Sequence, residues 1–101
     1  MDKKGAINLA NIYARLLKNQ FGDIRVFLFG SYAKGNYNKD SDIDIAVVFD
    51  DYINLLDIQL ELMRIRRGID SRIEPHPFRK QDFDVTHPLA YEILSYGLEI
   101  K

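Results

Sequence analysis

The most informative part of this 101-residue sequence consists of GSYAKG at residues 30–35 and SDIDIAVV at residues 41–48. An apolar run, VFLF at residues 26–29, leads into Gly30, so a buried strand is predicted to deliver the chain to a glycine turn. Glycine lets the backbone approach a ligand closely. The turn opened by Ser31 offers backbone amides and a hydroxyl to phosphate oxygens. These features predict an anion-binding loop after the first strand.

Two aspartates open the next predicted strand, over residues 42–49. Asp42 and Asp44 are two positions apart, so on an extended strand their carboxylates point to the same face. Like charges held side by side repel each other unless a cation lies between them. Carboxylate oxygens suit magnesium, which completes its shell with water and substrate phosphates. The pair therefore predicts a site for magnesium and nucleotide.

A third carboxylate is expected from a third strand, which we predict over residues 69–74 with Pro75 and Pro77 stopping it. On that strand Asp70 and Glu74 share one face, and either could complete a two-metal site with the aspartate pair. Glu74 is preferred because it stands at a strand end, where a bound ion would justify a partly buried charge. Asp70 stays open as the alternative.

The rest of the chain alternates helical periodicity with turn signals. The predicted elements not yet named are helices over residues 6–21, 54–67 and 88–96, a loop with at most one helical turn over residues 30–40, and a short or frayed terminal strand over residues 98–100. This order predicts one α/β (α+β) domain over residues 1–101. Its small mixed sheet is expected to pack against helices.

Composition narrows the class of protein. Apolar residues make up 47% and charged residues 29%, as in an ordinary soluble domain with one core. The formal net charge of −1 argues against general nucleic-acid binding. The absence of cysteine excludes a thiolate metal site and a cysteine nucleophile. No apolar run approaches the roughly 20 residues of a membrane span, and the start lacks a secretory signal, so a cytoplasmic location is expected.

The combination of an apolar strand, Gly-Ser, a loop, and Asp-X-Asp opening a second strand resembles the DNA polymerase β-like nucleotidyltransferase superfamily, in particular its minimal single-domain branch. The resemblance covers residues 26–49 strongly. It implies the nucleotidyltransferase fold, with Gly30 and Ser31 holding the triphosphate of ATP. It also implies that Asp42 and Asp44 bind two magnesium ions. Many relatives have aspartate as the third carboxylate, so Glu74 is a departure from the pattern.

The resemblance implies transfer of a nucleoside monophosphate, AMP from ATP, to a hydroxyl by a two-metal mechanism. Minimal members commonly pair with a HEPN-domain toxin as its antitoxin, so a tyrosine of a HEPN-domain partner is the expected acceptor. The chain is too short for an added acceptor-binding domain, so a partner or self-association is expected to bring the acceptor. Two alternatives stay open: a weakly active or inactive antitoxin-like binding module, and a small-molecule (antibiotic) nucleotidyltransferase.

The remaining polar residues carry weaker signals. His76 and His87 do not have a metal-binding spacing, and each is expected in a turn or on the surface. Three arginines near the end of the second long helix are explained by its dipole, although one of them could hold the nucleotide or the acceptor. They are Arg64, Arg66 and Arg67.

Overall fold

The computed structural model describes residues 1–101 as a four-stranded sheet with helices on both faces. Its elements are α1 (Lys3–Phe21), β1 (Arg25–Phe29), α2 (Ser31–Lys34), β2 (Ile43–Phe49), α3 (Leu55–Arg66), β3 (Ile73–Arg79), a 3₁₀ turn (Lys80–Asp82), α4 (Pro88–Tyr96) and β4 (Leu98–Glu99). The strand order is β3-β2-β1-β4, in which β1 is antiparallel to β2 and β4, and β3 is parallel to β2. The predicted mixed sheet packed with helices is confirmed. None of the helices combines the length and hydropathy that a membrane crossing requires.

The two faces of the sheet bury two separate apolar clusters. In β2, Ile43, Ile45 and Val47 pack with α1 and Leu62 of α3. The alternate residue Ala46 packs with Phe27, Phe29 and two residues of α4. Side chains of a strand alternate between faces, so Asp44 projects on the same face as Ala46. We call this the α4 face, and the opposite one the α1–α3 face.

The long helices are held by caps and by one buried hydrogen bond. α1 begins earlier than predicted because Asp2 caps it, accepting a hydrogen bond from the Gly5 amide at 2.8 Å. The fully buried Tyr13 hydroxyl donates to the Leu62 carbonyl of α3 at 2.7 Å. Burial raises the pKa of Tyr13. This contact joins α1 to α3 over the α1–α3 face.

The third strand differs from its prediction. β3 spans Ile73–Arg79, whereas the sequence predicted a strand over residues 69–74. Residues 69–72 form the turn that precedes it. Pro75 and Pro77, which were expected to stop the strand, lie inside it and pair in register with β2.

The position of β3 at the edge of the sheet explains why its prolines are tolerated. The carbonyls of Ile73 and Pro75 point away from β2, since they accept hydrogen bonds from the side chains of Arg66 (2.7 Å) and Gln59 (3.1 Å) of α3. The nitrogens of Pro75 and Pro77 therefore face the open edge, where no ladder hydrogen bond is lost.

Candidate active site

Gly30 and Asp44 are brought together by the antiparallel pairing of β1 and β2. Phe29, the last residue of β1, lies opposite Asp44 in the register, so the glycine that follows it turns directly beside that carboxylate. Gly30 has φ 72° and ψ −150°, a conformation that is essentially restricted to glycine. A β-carbon on Gly30 would lie 2.2 Å from Asp44 Oδ2. The backbone at Gly30 must therefore stay bare for the carboxylate to occupy its position.

Ser31 opens the single helical turn predicted within this loop. The backbone amides of Gly35 and Asn36 both donate hydrogen bonds to the Ser31 carbonyl, at 2.9 and 3.2 Å. The first amides of such a turn have no partner within the helix and stay available. Tyr32 is fully buried and stacks on Tyr37 with ring centroids 4.6 Å apart. This stacking anchors the loop to the core.

The two aspartates lie at the start of β2. Asp42 directly precedes the strand and is exposed, while Asp44 is its second residue and has a side chain 27% exposed. Ile43 between them is fully buried in the cluster on the α1–α3 face. Alternation along the strand therefore places Asp44 on the α4 face. Asp42 precedes the strand, so its sharing of that face stays a prediction.

Glu74 lies in β3 directly opposite Asp44. Its side chain is 45% exposed, and its Oε1 is 3.5 Å from Nη1 of Arg66. That same guanidinium donates to the Ile73 carbonyl at 2.7 Å. The strand register thus brings Glu74 level with Asp44, although its side chain turns toward Arg66. No three acidic or histidine side chains converge closely enough to form a metal-binding group as they stand.

Asp70 occupies a different environment from the one predicted. It lies in the turn before β3, so the expectation that Asp70 and Glu74 share a face of one strand is wrong. Its carboxylate accepts a hydrogen bond from the Arg72 amide at 2.9 Å and forms an ion pair with the Arg72 guanidinium at 2.7 Å. The hydrogen bonds from Arg72 lower the pKa of Asp70. Asp70 is therefore paired with Arg72 within its own turn.

His76 is the residue of this site that the sequence reasoning missed. It follows Glu74 by one pleat on the same face of β3, and its Nε2 lies 3.4 Å from Asp44 Oδ1. Its ring packs edge-on against Phe29 with centroids 5.1 Å apart. The flanking Pro75 and Pro77 suggested a turn. The sequence pattern that could have identified His76 is its position two residues after Glu74, which places both side chains on one face if the strand continues through Pro75 and Pro77.

The nearby cations are mostly paired elsewhere. Lys34, at the end of α2, forms an ion pair with Glu92 of α4. Arg64 forms an ion pair with Glu61 on the surface of α3. Among the three arginines singled out in the sequence, only Arg66 has an ion-pair contact with a carboxylate of the site.

The donor chemistry of the site fits magnesium. Asp42, Asp44 and Glu74 offer hard carboxylate oxygens at one end of the sheet. Gly30 has no side chain, and Asp44 Oδ2 occupies the position that its β-carbon would fill, so the turn that could hold a phosphate directly contacts this carboxylate. A metal–phosphate ligand is the group for which both features are suited.

Comparison with known proteins agrees with this geometry. The family described as "Nucleotidyltransferase domain" matches residues 10–86. A presumed protein adenylyltransferase of Methanocaldococcus jannaschii is 36% identical over 107 aligned positions, which cover 94% of this chain and 71% of the relative.

Solved structures share the fold. A chain of a toxin–antitoxin complex with AMP-PNP has a TM-score of 0.68 and 25% identity, covering 93% of this chain and 73% of that chain. A chain from the complex of the tri-AMPylated Shewanella oneidensis HEPN toxin with MNT antitoxin has a TM-score of 0.64 and 21% identity, covering 95% and 71%. The second likeness concerns the fold alone. The solved structures share the fold, and the family match and the relative show that this chain belongs to the nucleotidyltransferase domain family.

Proposed function

We propose that this chain transfers AMP from ATP to a tyrosine hydroxyl of a HEPN-domain partner protein. The observation that carries the proposal is the contact between the bare Gly30 turn and the Asp44 carboxylate. It joins a loop suited to phosphates with a carboxylate suited to a cation. The relatives support the direction of the proposal, since one is a presumed protein adenylyltransferase and one similar structure is a toxin–antitoxin complex with AMP-PNP.

Binding would rest on four residues. Gly30 and Ser31 hold the triphosphate through backbone amides and the serine hydroxyl. Asp42 and Asp44 supply carboxylate oxygens to magnesium from the α4 face of β2. The amides of Lys34 and Gly35 donate to the carbonyls of Gly30 and Ser31 at 3.0 and 2.9 Å, so hydrogen bonds within the chain hold the turn and little ordering of the loop is needed on binding.

In the transfer, the acceptor oxygen forms a bond to the α-phosphorus of ATP. The bond from that phosphorus to the bridging oxygen breaks, and pyrophosphate leaves with the electron pair. Glu74 accepts the proton of the acceptor hydroxyl, for which its half-exposed side chain can turn from its long contact with Arg66. Magnesium, when bound, lowers the pKa of the acceptor hydroxyl and stabilises charge on the leaving pyrophosphate.

A protein acceptor is supported by the outer surface of α3. Ile53 just before the helix is fully exposed, and Leu56 and Leu60 within it are 64% and 57% exposed. Positions four apart lie on one face of a helix, so Leu56 and Leu60 form an exposed apolar patch, the α3 apolar face, beside the exposed Ile53 that precedes the helix. Contiguous exposed apolar surface marks sites of protein contact. A small-molecule transferase has no evident use for it.

A second candidate is an antitoxin-like binding module of weak or no activity. It is favoured by the position of the Glu74 carboxylate, which lies beside Arg66 and does not converge with the aspartates on a metal-binding group. In that case the chain would inhibit its partner by occlusion alone, through a surface such as the α3 apolar face.

One experiment separates these functions. The chain is incubated with ATP labelled at the α-phosphate, magnesium and a HEPN-domain protein from the same genome, beside an Asp44→Asn variant. Label on a partner tyrosine that depends on Asp44 is the expected result. Stable binding of the partner without label would instead establish the binding module. Failure to bind both ATP and the partner would refute the proposed function.

A further inference from the structure

We propose that His76 is a positioning residue for Asp44. It holds Oδ1 of that carboxylate, which keeps the lone pairs not used in this contact oriented toward the ligand. This inference rests on the proposed function for its consequence, but the contact itself lies within the chain and can be measured independently of that function. His76 Nε2 lies 3.4 Å from Asp44 Oδ1. In the neutral tautomer protonated at Nε2, the ring donates a hydrogen bond to the carboxylate.

The two oxygens of Asp44 have different neighbours. Oδ2 faces the bare α-carbon of Gly30, where an added β-carbon would lie 2.2 Å away. Oδ1 faces His76 from the neighbouring strand. A carboxylate bounded on both sides loses most of its rotational freedom about the Cβ–Cγ bond. Asp42, by contrast, is exposed and has no hydrogen-bonding or ion-pair partner for its side chain.

The histidine is itself fixed by its surroundings. Pro75 and Pro77 flank it and restrict the backbone on both sides. Its partner in the register is Ala46, which leaves room above β2 for the imidazole. Phe29 closes that space, meeting the ring edge-on at 5.1 Å between centroids. The arrangement aims Nε2 at Asp44 and leaves the side chain 37% exposed overall.

Residues that hold a metal ligand in place commonly change metal affinity by about 10- to 100-fold when they are removed. The same effect is expected here for magnesium–ATP. The role is to orient Asp44 and does not require His76 to touch the nucleotide or to exchange a proton with it.

The contact is tested first without any ligand. The chain has two histidines, and the second, His87, caps α4 by accepting the Ala90 amide at Nδ1, at 3.3 Å. Long-range proton–nitrogen NMR correlations, recorded in a pH range where the ring resonances no longer change, report the tautomer of each ring. We expect His76 to be protonated at Nε2, with a resonance that shifts in Asp44→Ala while that of His87 does not. A His76 ring protonated at Nδ1, or one unaffected by Asp44→Ala, overturns the inference.

The consequence is tested by calorimetric titration with magnesium–ATP. Gln places an N–H donor close to the position of Nε2, whereas Leu fills similar space without a donor. We expect His76→Leu to weaken binding by about 10-fold or more and His76→Gln to restore most of the affinity, with unchanged melting temperatures. Equal affinities in the two variants would refute the positioning role. Absence of binding in the unmodified chain would refute the proposed function, and the tautomer measurement would still decide the contact.

Discussion

Asp44 of β2 and Glu74 of β3 stand directly opposite each other in the parallel register of the two strands. Neighbouring strands lie about 4.8 Å apart, and residues in register project to the same face. The two carboxyl groups therefore start from adjacent backbone positions on the α4 face. Asp70, which the sequence left as an alternative, lies outside β3 in a turn. The relationship favours Glu74 as the third carboxylate.

Replacement of Glu74 by glutamine is expected to separate chemistry from binding. Gln keeps the size of the side chain but cannot accept the proton of the acceptor hydroxyl. We expect Glu74→Gln to abolish AMP transfer and to change ATP affinity by less than about 10-fold, or 1.4 kcal/mol, since binding depends mainly on Asp42 and Asp44. Incorporation of labelled AMP and calorimetric titration measure the two effects.

Asp70→Asn is the matched control for this change, because it removes one negative charge from a nearby carboxylate. It breaks only the exposed local pair with Arg72, so AMP transfer should stay near that of the unmodified chain. If Asp70→Asn abolished transfer and Glu74→Gln did not, the general base would have to be assigned to Asp70.

Asp44→Asn is expected to weaken binding of magnesium–ATP by at least about 10-fold, because charged ligands to the cation are worth well over 1 kcal/mol. The fold should persist, since the side chain is partly exposed and makes a single long contact with His76. Asp40→Asn is the control, because it makes the same charge change in the exposed loop just before β2. An unchanged magnesium-dependent ATP affinity in Asp44→Asn would remove the metal-site assignment.

The Gly30 and Ser31 positions are expected to respond differently to alanine. Gly30→Ala places a β-carbon against Asp44 in a glycine-only conformation, which should cost about 1–3 kcal/mol of stability as well as nucleotide binding. Ser31→Ala removes one hydroxyl donor and should reduce only the stabilisation by magnesium–ATP. Gly35→Ala, also at positive φ but with open space around it, is the control for backbone strain. Thermal melting with and without ligand distinguishes them, and full ligand stabilisation in Ser31→Ala would exclude its hydroxyl from phosphate binding.

The parts of the fold that depend on short segments were predictable from the sequence. The apolar strand, the glycine turn and the alternating start of β2 each follow from residues within one segment, and the structure confirms all three. The contact of Gly30 with Asp44 then follows from the antiparallel pairing of β1 with β2, the next strand along the chain.

The third strand was not predictable in the same way. Whether a proline ends a strand depends on whether that strand lies at an edge, and edge position is decided by tertiary contacts. Without that knowledge the sequence predicts the strand too early and places His76 in a turn or on the surface. The pairing of Glu74 with Asp44 likewise depends on a register between strands separated by the whole of α3. Local sequence does not specify such a register.

The buried hydroxyl of Tyr13 makes a prediction about stability. Tyr13→Phe removes the hydrogen bond to the Leu62 carbonyl and should lower the free energy of unfolding by about 1 kcal/mol at neutral pH. Burial raises the pKa of Tyr13 in the folded chain, so the neutral form is favoured on folding. The stability gained by burying the neutral Tyr13 hydroxyl is fully present below the ordinary tyrosine pKa of about 10 and is lost as pH rises above that value.

Urea unfolding at pH 8 and at about pH 10.5 measures this effect. The decisive quantity is the difference in stability loss between the two proteins, because it cancels every effect that the substitution leaves unchanged. The unmodified chain should lose more stability than Tyr13→Phe over this range. Equal losses would show that Tyr13 ionises as easily in the folded chain as in the unfolded one.

The last prediction concerns the α3 apolar face. Leu56 and Leu60 are both more than half exposed, so Leu56→Glu with Leu60→Glu should leave the fold and ATP affinity unchanged. If this face docks the HEPN-domain partner, the two charges must be desolvated in the complex, and affinity should fall by at least about 100-fold, or 2.7 kcal/mol. Ile12→Glu with Leu16→Glu is a matched control, because it charges two exposed residues four positions apart on α1. Titration calorimetry with the partner compares the pairs. Equal binding by both variants would show that α3 is not the docking surface, and a loss confined to the α1 pair would move that surface to α1.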